Sequence, residues 1–141
     1  FERFNATQTE FDGGMILGGY TFPTSAKAND IVSVDLYWRL DQRVRDELIV
    51  FTHFVRVGEG QPLVQHDDSP CSKGMPTTRW VPNALYPDRH DLKLPGDLKP
   101  GQYEVRVGVY RWPSQERLAV VTSDKKILEN SVLVLGVVEV R

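Results

Sequence analysis

The sequence predicts an all-β fold, an antiparallel β-sandwich of jelly-roll type that forms a single domain over residues 1–141. Apolar residues recur with period two rather than 3.6 along most of the chain. Turn signals such as Asp12-Gly13-Gly14 and Pro100-Gly101 separate these alternating segments. No window of about eleven residues keeps the apolar stripe of a helix. We therefore expect about nine short strands around one core.

Four segments carry the strongest strand signals, in chain order 30–40, 47–57, 101–110 and 131–140. The first alternates cleanly and places Trp38 in the core. The second is apolar on both faces, which predicts a central strand covered on each side; His53 in it is interpreted as a core-edge histidine with hydrogen-bonded ring nitrogens. Weaker signals predict strands at residues 15–22, 62–66, 77–81, 91–94 and 117–121, and a single helical turn at 125–130.

Composition excludes some function classes. Seventeen basic and nineteen acidic residues give a net charge of -2, and no basic stripe is visible, so no nucleic-acid partner is expected. The longest apolar run, at 132–138, is far shorter than the roughly 20 residues of a membrane span. The chain begins at Phe1 without a leader, and we interpret it as a piece of a longer protein.

The stretch 64–80 has the residue types most typical of a functional site, because it combines His66, an aspartate pair, Cys71 and Trp80. Its histidines and acids lack the spacing of zinc motifs. A structural calcium ion is the one cofactor that the sequence could support, with ligands from loop aspartates if these loops converge: Asp67, Asp68, Asp88 and Asp91. Cys71 has no signature of a nucleophile and is interpreted as a plain loop cysteine. No catalytic residue is predicted.

The aromatic residues give the clearest sign of a ligand. Tyr37 and Trp112 are predicted to be outward or loop residues, on which a sugar ring could stack. Their polar neighbours Arg39, Arg111 and Gln115 could hydrogen-bond its hydroxyl groups.

The order of motifs, "LGGY", "VSVDLYWRL", "VFTHFV", "QHDDSP", "PTTRW" and "LKLPGDLKPGQYEVRVGVY", resembles a known family over residues 17–140. It is similar to the soluble C-terminal domain of bacterial polytopic glycosyltransferases of the dolichyl-phosphate-mannose mannosyltransferase-like, or aminoarabinose-transferase-like, family. The resemblance implies a β-sandwich like many carbohydrate-binding modules. It implies a location on the extracytoplasmic face of the bacterial cytoplasmic membrane, periplasmic or extracellular, with the protein's own membrane domain as partner. Catalysis in that family resides in the membrane part, so no catalytic residue is carried over.

The same resemblance makes the stretch 64–80 a long crossing between strands, with Trp80 closing the end of the sandwich. Three hypotheses for function follow. The first is a non-catalytic accessory domain of a membrane glycosyltransferase that recognises a glycan or a lipid-linked sugar. The second is a purely structural or protein-contacting cap on the membrane domain. The third is a free-standing hydrolase.

Overall fold

The fold consists of two five-stranded sheets packed face to face. A computed structural model of the chain describes residues 3–70 and 75–141. Its strands are β1 Asn5–Phe11, β2 Met15–Thr21, β3 Ser25–Ala26, β4 Ile31–Leu40, β5 Glu47–Arg56, β6 Val64–Asp68, β7 Tyr86–Lys93, β8 Gly101–Trp112, β9 Val120–Val121 and β10 Leu133–Val140. The prediction of an all-β sandwich is confirmed.

The first sheet has the strand order β7-β4-β2-β1-β9, and the second has the order β3-β10-β8-β5-β6. Neighbouring strands are antiparallel except for the short β3, which runs parallel to β10. The edge strands β7 and β6 lie together at one side of the sandwich. No helix of the described residues has the length and apolar character needed to cross a bilayer.

Side-chain alternation decides which residues form the core. In β4, and in β8 from Tyr103 to Val109, every second residue points between the sheets and is fully buried or nearly so, including Trp38. β5 is also apolar on its outward face, where Phe51 and Val55 are buried as the sequence predicted. Phe51 fits there because Gly108 is its partner on β8; a Cβ atom at Gly108 would stand 2.0 Å from the Cζ atom of Phe51.

The strand predicted at residues 77–81 is wrong. Thr77–Arg79 form a 3-10 helix instead, because the Thr77 hydroxyl accepts the amide N–H of Leu48 at 2.9 Å and donates to the carbonyl of Asp46 at 3.1 Å. Trp80 follows it, fully buried and stacked on Tyr86 with ring centroids 4.1 Å apart. The expectation that Trp80 fills the sandwich is therefore confirmed, although its segment turns rather than extends.

Smaller differences concern the ends of elements. The strand expected at 91–94 begins earlier, at Tyr86, and the one expected at 117–121 is reduced to Val120–Val121. The predicted turn at 125–130 lies later, as a 3-10 helix at Glu129–Ser131. β1 was missed because its middle residues, TQTE, carry no apolar alternation.

Candidate functional site

A groove runs across the outward face of the second sheet, over β5, β6 and β8. The inward residues of β8 are the buried valines at odd positions, so Tyr110 and Trp112 point outward. The strand register sets Tyr110 beside Ile49, and Phe51 beside Asp67. Side chains from three strands therefore stand next to one another on this face.

The groove consists of two adjoining hollows, of about 380 Å³ and about 210 Å³, which share Asp67 and Tyr110. We call the two together the outer groove. The larger is lined by Phe51, His53, Pro62, Gln65, Asp67, Tyr110, Gln115 and Arg117, and the smaller by Glu47, Ile49, Asp67, Asp68, Ser69, Tyr110 and Trp112. Its surface thus combines aromatic rings with amide, carboxylate and guanidinium groups.

The floor of the larger hollow is the ring of Phe51. The guanidinium of Arg117 lies over it, 4.6 Å from the ring centroid, and the rings of His53 and Tyr110 flank it at 4.7 Å and 6.2 Å. Arg117 reaches this place because the chain turns back after β8, where the amide of Leu118 donates to the carbonyl of Val109 at 2.8 Å. The Phe51 floor is therefore only 2% exposed although it lies on the outer face of the sheet.

A hydrogen bond joins the two hollows: the Tyr110 hydroxyl donates to Oδ2 of Asp67 at 3.1 Å. Burial raises the pKa of Tyr110 to about 12, and the charge of Asp67 and this hydrogen bond add to the effect. The hydroxyl therefore keeps its proton and remains a donor at neutral pH. The Asp67 carboxylate has further lone pairs for the hydroxyl groups of a ligand.

His53 lies half-buried in the wall of the outer groove rather than at the edge of the core. Burial lowers its pKa, and the nearby charges of Arg117 and Arg106 lower it further, while Asp67 acts in the opposite direction. The imidazole is thus mainly neutral at pH 7 and offers one donor and one acceptor.

The structure does not bring the predicted sugar-binding residues together. Trp112, 49% exposed, and Gln115 both line the outer groove. Arg111 turns away to ion pairs with Asp46 and Glu116 and lines a different hollow.

The other two predicted residues lie on the opposite side of the molecule. On the outward face of the first sheet, Tyr37 packs against Phe4 with ring centroids 5.7 Å apart. Arg39, two residues along the same strand, donates to the side chain of Gln8 at 2.8 Å. The predicted set is therefore divided between two faces of the sandwich.

Sequence reasoning missed the part played by Phe51, Gln65, Tyr110 and Arg117. One available signal was that Tyr110 and Trp112 stand two residues apart on one strand and must share a face. Nothing local indicated that Asp67, far away in sequence, would meet them.

Of the four aspartates proposed as calcium ligands, Asp67 and Asp68 both line the smaller hollow of the outer groove, whereas the other two lie elsewhere. Asp67 lies in the outer groove, Asp88 is buried between the sheets, and Asp91 accepts a hydrogen bond from Ser33 on the outward face of the first sheet. Among residues 3–70 and 75–141, no three His, Cys, Asp or Glu side chains are grouped so that they could hold a metal ion. Cys71 lies outside the described residues.

No protein-family model matches the chain, and no curated protein matches it. Among solved structures it is similar to one described as the crystal structure of the C-terminal domain of wzt. The similarity covers 94% of this chain and 83% of that one, with a TM-score of 0.58 and 16% sequence identity. At this identity the likeness shows a shared fold and agrees with the β-sandwich.

Proposed function

We propose that this chain is a non-catalytic glycan-binding domain and that its ligand lies along the outer groove. The observation that carries the proposal is the pairing of an exposed indole, Trp112, with a row of polar groups on the same face. A sugar ring has an apolar face that stacks on an aromatic ring and hydroxyl groups around its rim that need hydrogen-bond partners. The outer groove offers both.

The polar groups are suited to hydroxyl recognition. No side-chain hydrogen bond within the described structure engages the amides of Gln65 and Gln115, so each can both donate and accept. Asp67 is held in place by Tyr110 and can accept from a sugar hydroxyl. Because the groove is open and shallow, we expect a dissociation constant near 1 mM, about -4 kcal/mol.

Titration of bacterial-envelope oligosaccharides, followed through backbone amide chemical shifts, tests the proposal. Shifts should concentrate in β5, β6 and β8, and Trp112→Ala should weaken binding at least about tenfold, the loss of about 1.4 kcal/mol. The matched control is Tyr37→Ala, since Tyr37 is an aromatic residue on the opposite outer face. Binding that survives Trp112→Ala, or that Tyr37→Ala abolishes, would refute the placement in this groove.

The nature of the parent protein is a separate proposal, supported by the order of sequence motifs. In it, this domain is an accessory part of a membrane glycosyltransferase on the extracytoplasmic face of the bacterial membrane. Its partners are then its own membrane domain and a glycan or lipid-linked sugar. The encoded sequence upstream of Phe1 tests this directly, because a glycosyltransferase of this kind has a series of membrane spans there.

One observation favours the alternative of a protein-contacting cap. Outside residues 71–74, the loop between β6 and β7 exposes three apolar side chains, Met75, Val81 and Leu85, and apolar surface of this kind suits protein contact. If the outer groove binds no sugar, this loop is the next surface to test. The hydrolase alternative has less support: glycoside hydrolysis generally uses two carboxylates on either side of the sugar bond, and the three acids of the outer groove, Glu47, Asp67 and Asp68, all line its smaller hollow.

A further inference from the structure

A chain of hydrogen bonds crosses from one sheet to the other at the edge where β6 and β7 meet. The indole N–H of Trp38 donates to Oδ2 of Asp88 at 3.1 Å, and Nε2 of His90 lies 2.8 Å from the same oxygen. Nδ1 of His90 then lies 2.8 Å from Nδ1 of His66. Trp38, Asp88 and His90 are buried between the sheets, whereas His66 on β6 is partly exposed and gives the chain access to solvent.

The direction of these bonds limits where protons can be. An indole N–H can only donate, so Asp88 is an acceptor, and with its carboxyl ionised the Nε2–H of His90 donates to it. One proton must then lie between the two Nδ1 atoms, because a hydrogen bond needs one donor and one acceptor. In the neutral pair, His66 carries that proton and His90 accepts it.

Adding protons has two opposite effects. A first added proton makes one ring a cation and leaves the other Nδ1 as an acceptor, so the bond persists and becomes charge-assisted. A second added proton gives both Nδ1 atoms a hydrogen and both rings a positive charge. The bond then has no acceptor, and the two cations repel each other at close range.

Among residues 3–70 and 75–141, the groups around the pair come from β4, β5, β6 and β7. Asp88 faces it from β7, and Asp68 lies two residues from His66 on β6, where it also lines the smaller hollow of the outer groove. β4 contributes the Trp38 indole, and β5 contributes Thr52, whose hydroxyl donates to the carbonyl of His66 at 3.2 Å. Within the described residues, the inward face of β5 next to the pair carries no ionisable side chain.

The position of His66 connects this series of hydrogen bonds to the outer groove. Successive side chains of a strand point to opposite faces, so His66 points between the sheets while Gln65 and Asp67 point into the groove. β6 is an edge strand that pairs with β5 alone. A contact that fixes the position of His66 therefore also fixes β6, which forms one wall of the groove.

We propose that His66 and His90 are positioning residues of the outer groove: the proton that they share fixes β6 against the opposite sheet until acid protonates both rings. The functional part of this inference rests on the proposed role of the groove, whereas the shared proton rests on geometry alone. The hydrogen bond between the two rings thus persists after one added proton and breaks after the second.

Imidazole nitrogen resonances of the ¹⁵N-labelled chain, recorded between pH 8 and pH 4, test the shared proton. At neutral pH one Nδ1 should be protonated and the other not, with a scalar coupling between the two across the hydrogen bond. Two unprotonated Nδ1 atoms, or no coupling between them, would overturn the inference. This measurement needs no substitution and does not depend on how well a variant folds.

Amide hydrogen exchange tests the positioning role. Once both rings are cationic, the protection of β6 amides, corrected for the intrinsic effect of pH, should fall at least about tenfold, while the amides between β8 and β10 keep theirs. His66→Gln, which has no charge to gain, should remove this dependence on pH. His53→Gln is the matched control, because the third histidine of the chain lies on the outward face of the same sheet and should leave the response intact.

A response that survives His66→Gln, or β6 protection that persists with both rings cationic, would overturn the positioning role. Neither measurement uses a sugar, so failure of glycan binding and failure of the shared proton are separate results.

Discussion

Replacing Gly108 with alanine tests whether the floor of the outer groove is built as described. The added Cβ would stand 2.0 Å from Cζ, 2.3 Å from Cε2 and 2.8 Å from Cε1 of Phe51. Carbon atoms in contact prefer about 3.5 to 4.0 Å, so the ring must move by roughly 1.5 Å. Arg117 above the ring and His53 beside it oppose that movement.

The expected cost is about 1–3 kcal/mol, the usual range for overpacking a well-filled site. It is measured by urea unfolding, where such a loss moves the midpoint by about 1 M at an unchanged m-value. Gly60→Ala is the matched control, because a Cβ at Gly60 would meet no atom within 4 Å. We expect that variant to be neutral or slightly stabilising.

A double-mutant cycle identifies Phe51 as the cause. Phe51→Ala alone should be strongly destabilising, by about 3–5 kcal/mol. In that background Gly108→Ala should cost almost nothing, which gives a coupling energy of about 1–3 kcal/mol between the two positions. If Gly108→Ala costs as little as Gly60→Ala, or costs the same with and without Phe51, then the reasoning about this contact is wrong.

Two further predictions concern single polar side chains. Thr77→Val should destabilise by about 1–3 kcal/mol, because a buried backbone N–H loses its acceptor, whereas Thr78→Val at the exposed neighbouring position should change the unfolding midpoint little. Spectroscopic titration should show Tyr110 ionising near pH 12, and Asp67→Asn should lower that pKa. The folded pKa exceeds the unfolded value, so this contribution to stability is present below pH 10 and is lost between 10 and about 12. A Tyr110 pKa of 10 in both the unchanged protein and the Asp67→Asn variant would contradict the hydrogen bond between Tyr110 and Asp67.

The fold could be predicted from sequence to the extent that side chains alternate. The clean alternation around Trp38 and Val105 gave both the strands and the buried face. It failed at residues 77–81, where the buried residues Thr77 and Trp80 are three apart and belong to a turn held by a hydroxyl that binds the distant Leu48 amide. A segment of five residues is too short for its period to separate a turn from a strand, and the contact that fixes this turn is distant in sequence.

The candidate site could be predicted only in part, for a different reason. Tyr37 and Trp112 were both expected to point outward, but outward from different sheets, and alternation within one strand cannot tell one sheet from the other. The bond between Asp67 and Tyr110 depends on β6 and β8 both pairing with β5. Pairing of strands distant in sequence is the information that local patterns lack.

The two outer faces of the sandwich differ in how their polar groups are used, and this difference favours a ligand on the second sheet. On the first sheet, Arg89 makes a two-point ion pair with Asp35, and Ser33 donates to Asp91, so neighbouring side chains satisfy one another. On the second sheet, Gly108 leaves room for the Phe51 ring, and Gln115 and Arg117 in the turn after β8 line the larger hollow together with Gln65 and Asp67 of β6. The amides of Gln65 and Gln115 then face a recess rather than each other.

A surface whose polar groups are already paired gains little from a sugar hydroxyl, because each new hydrogen bond replaces an existing one. In the outer groove a sugar hydroxyl exchanges with water and breaks no hydrogen bond between side chains, and the stacking area on Trp112 adds to this exchange.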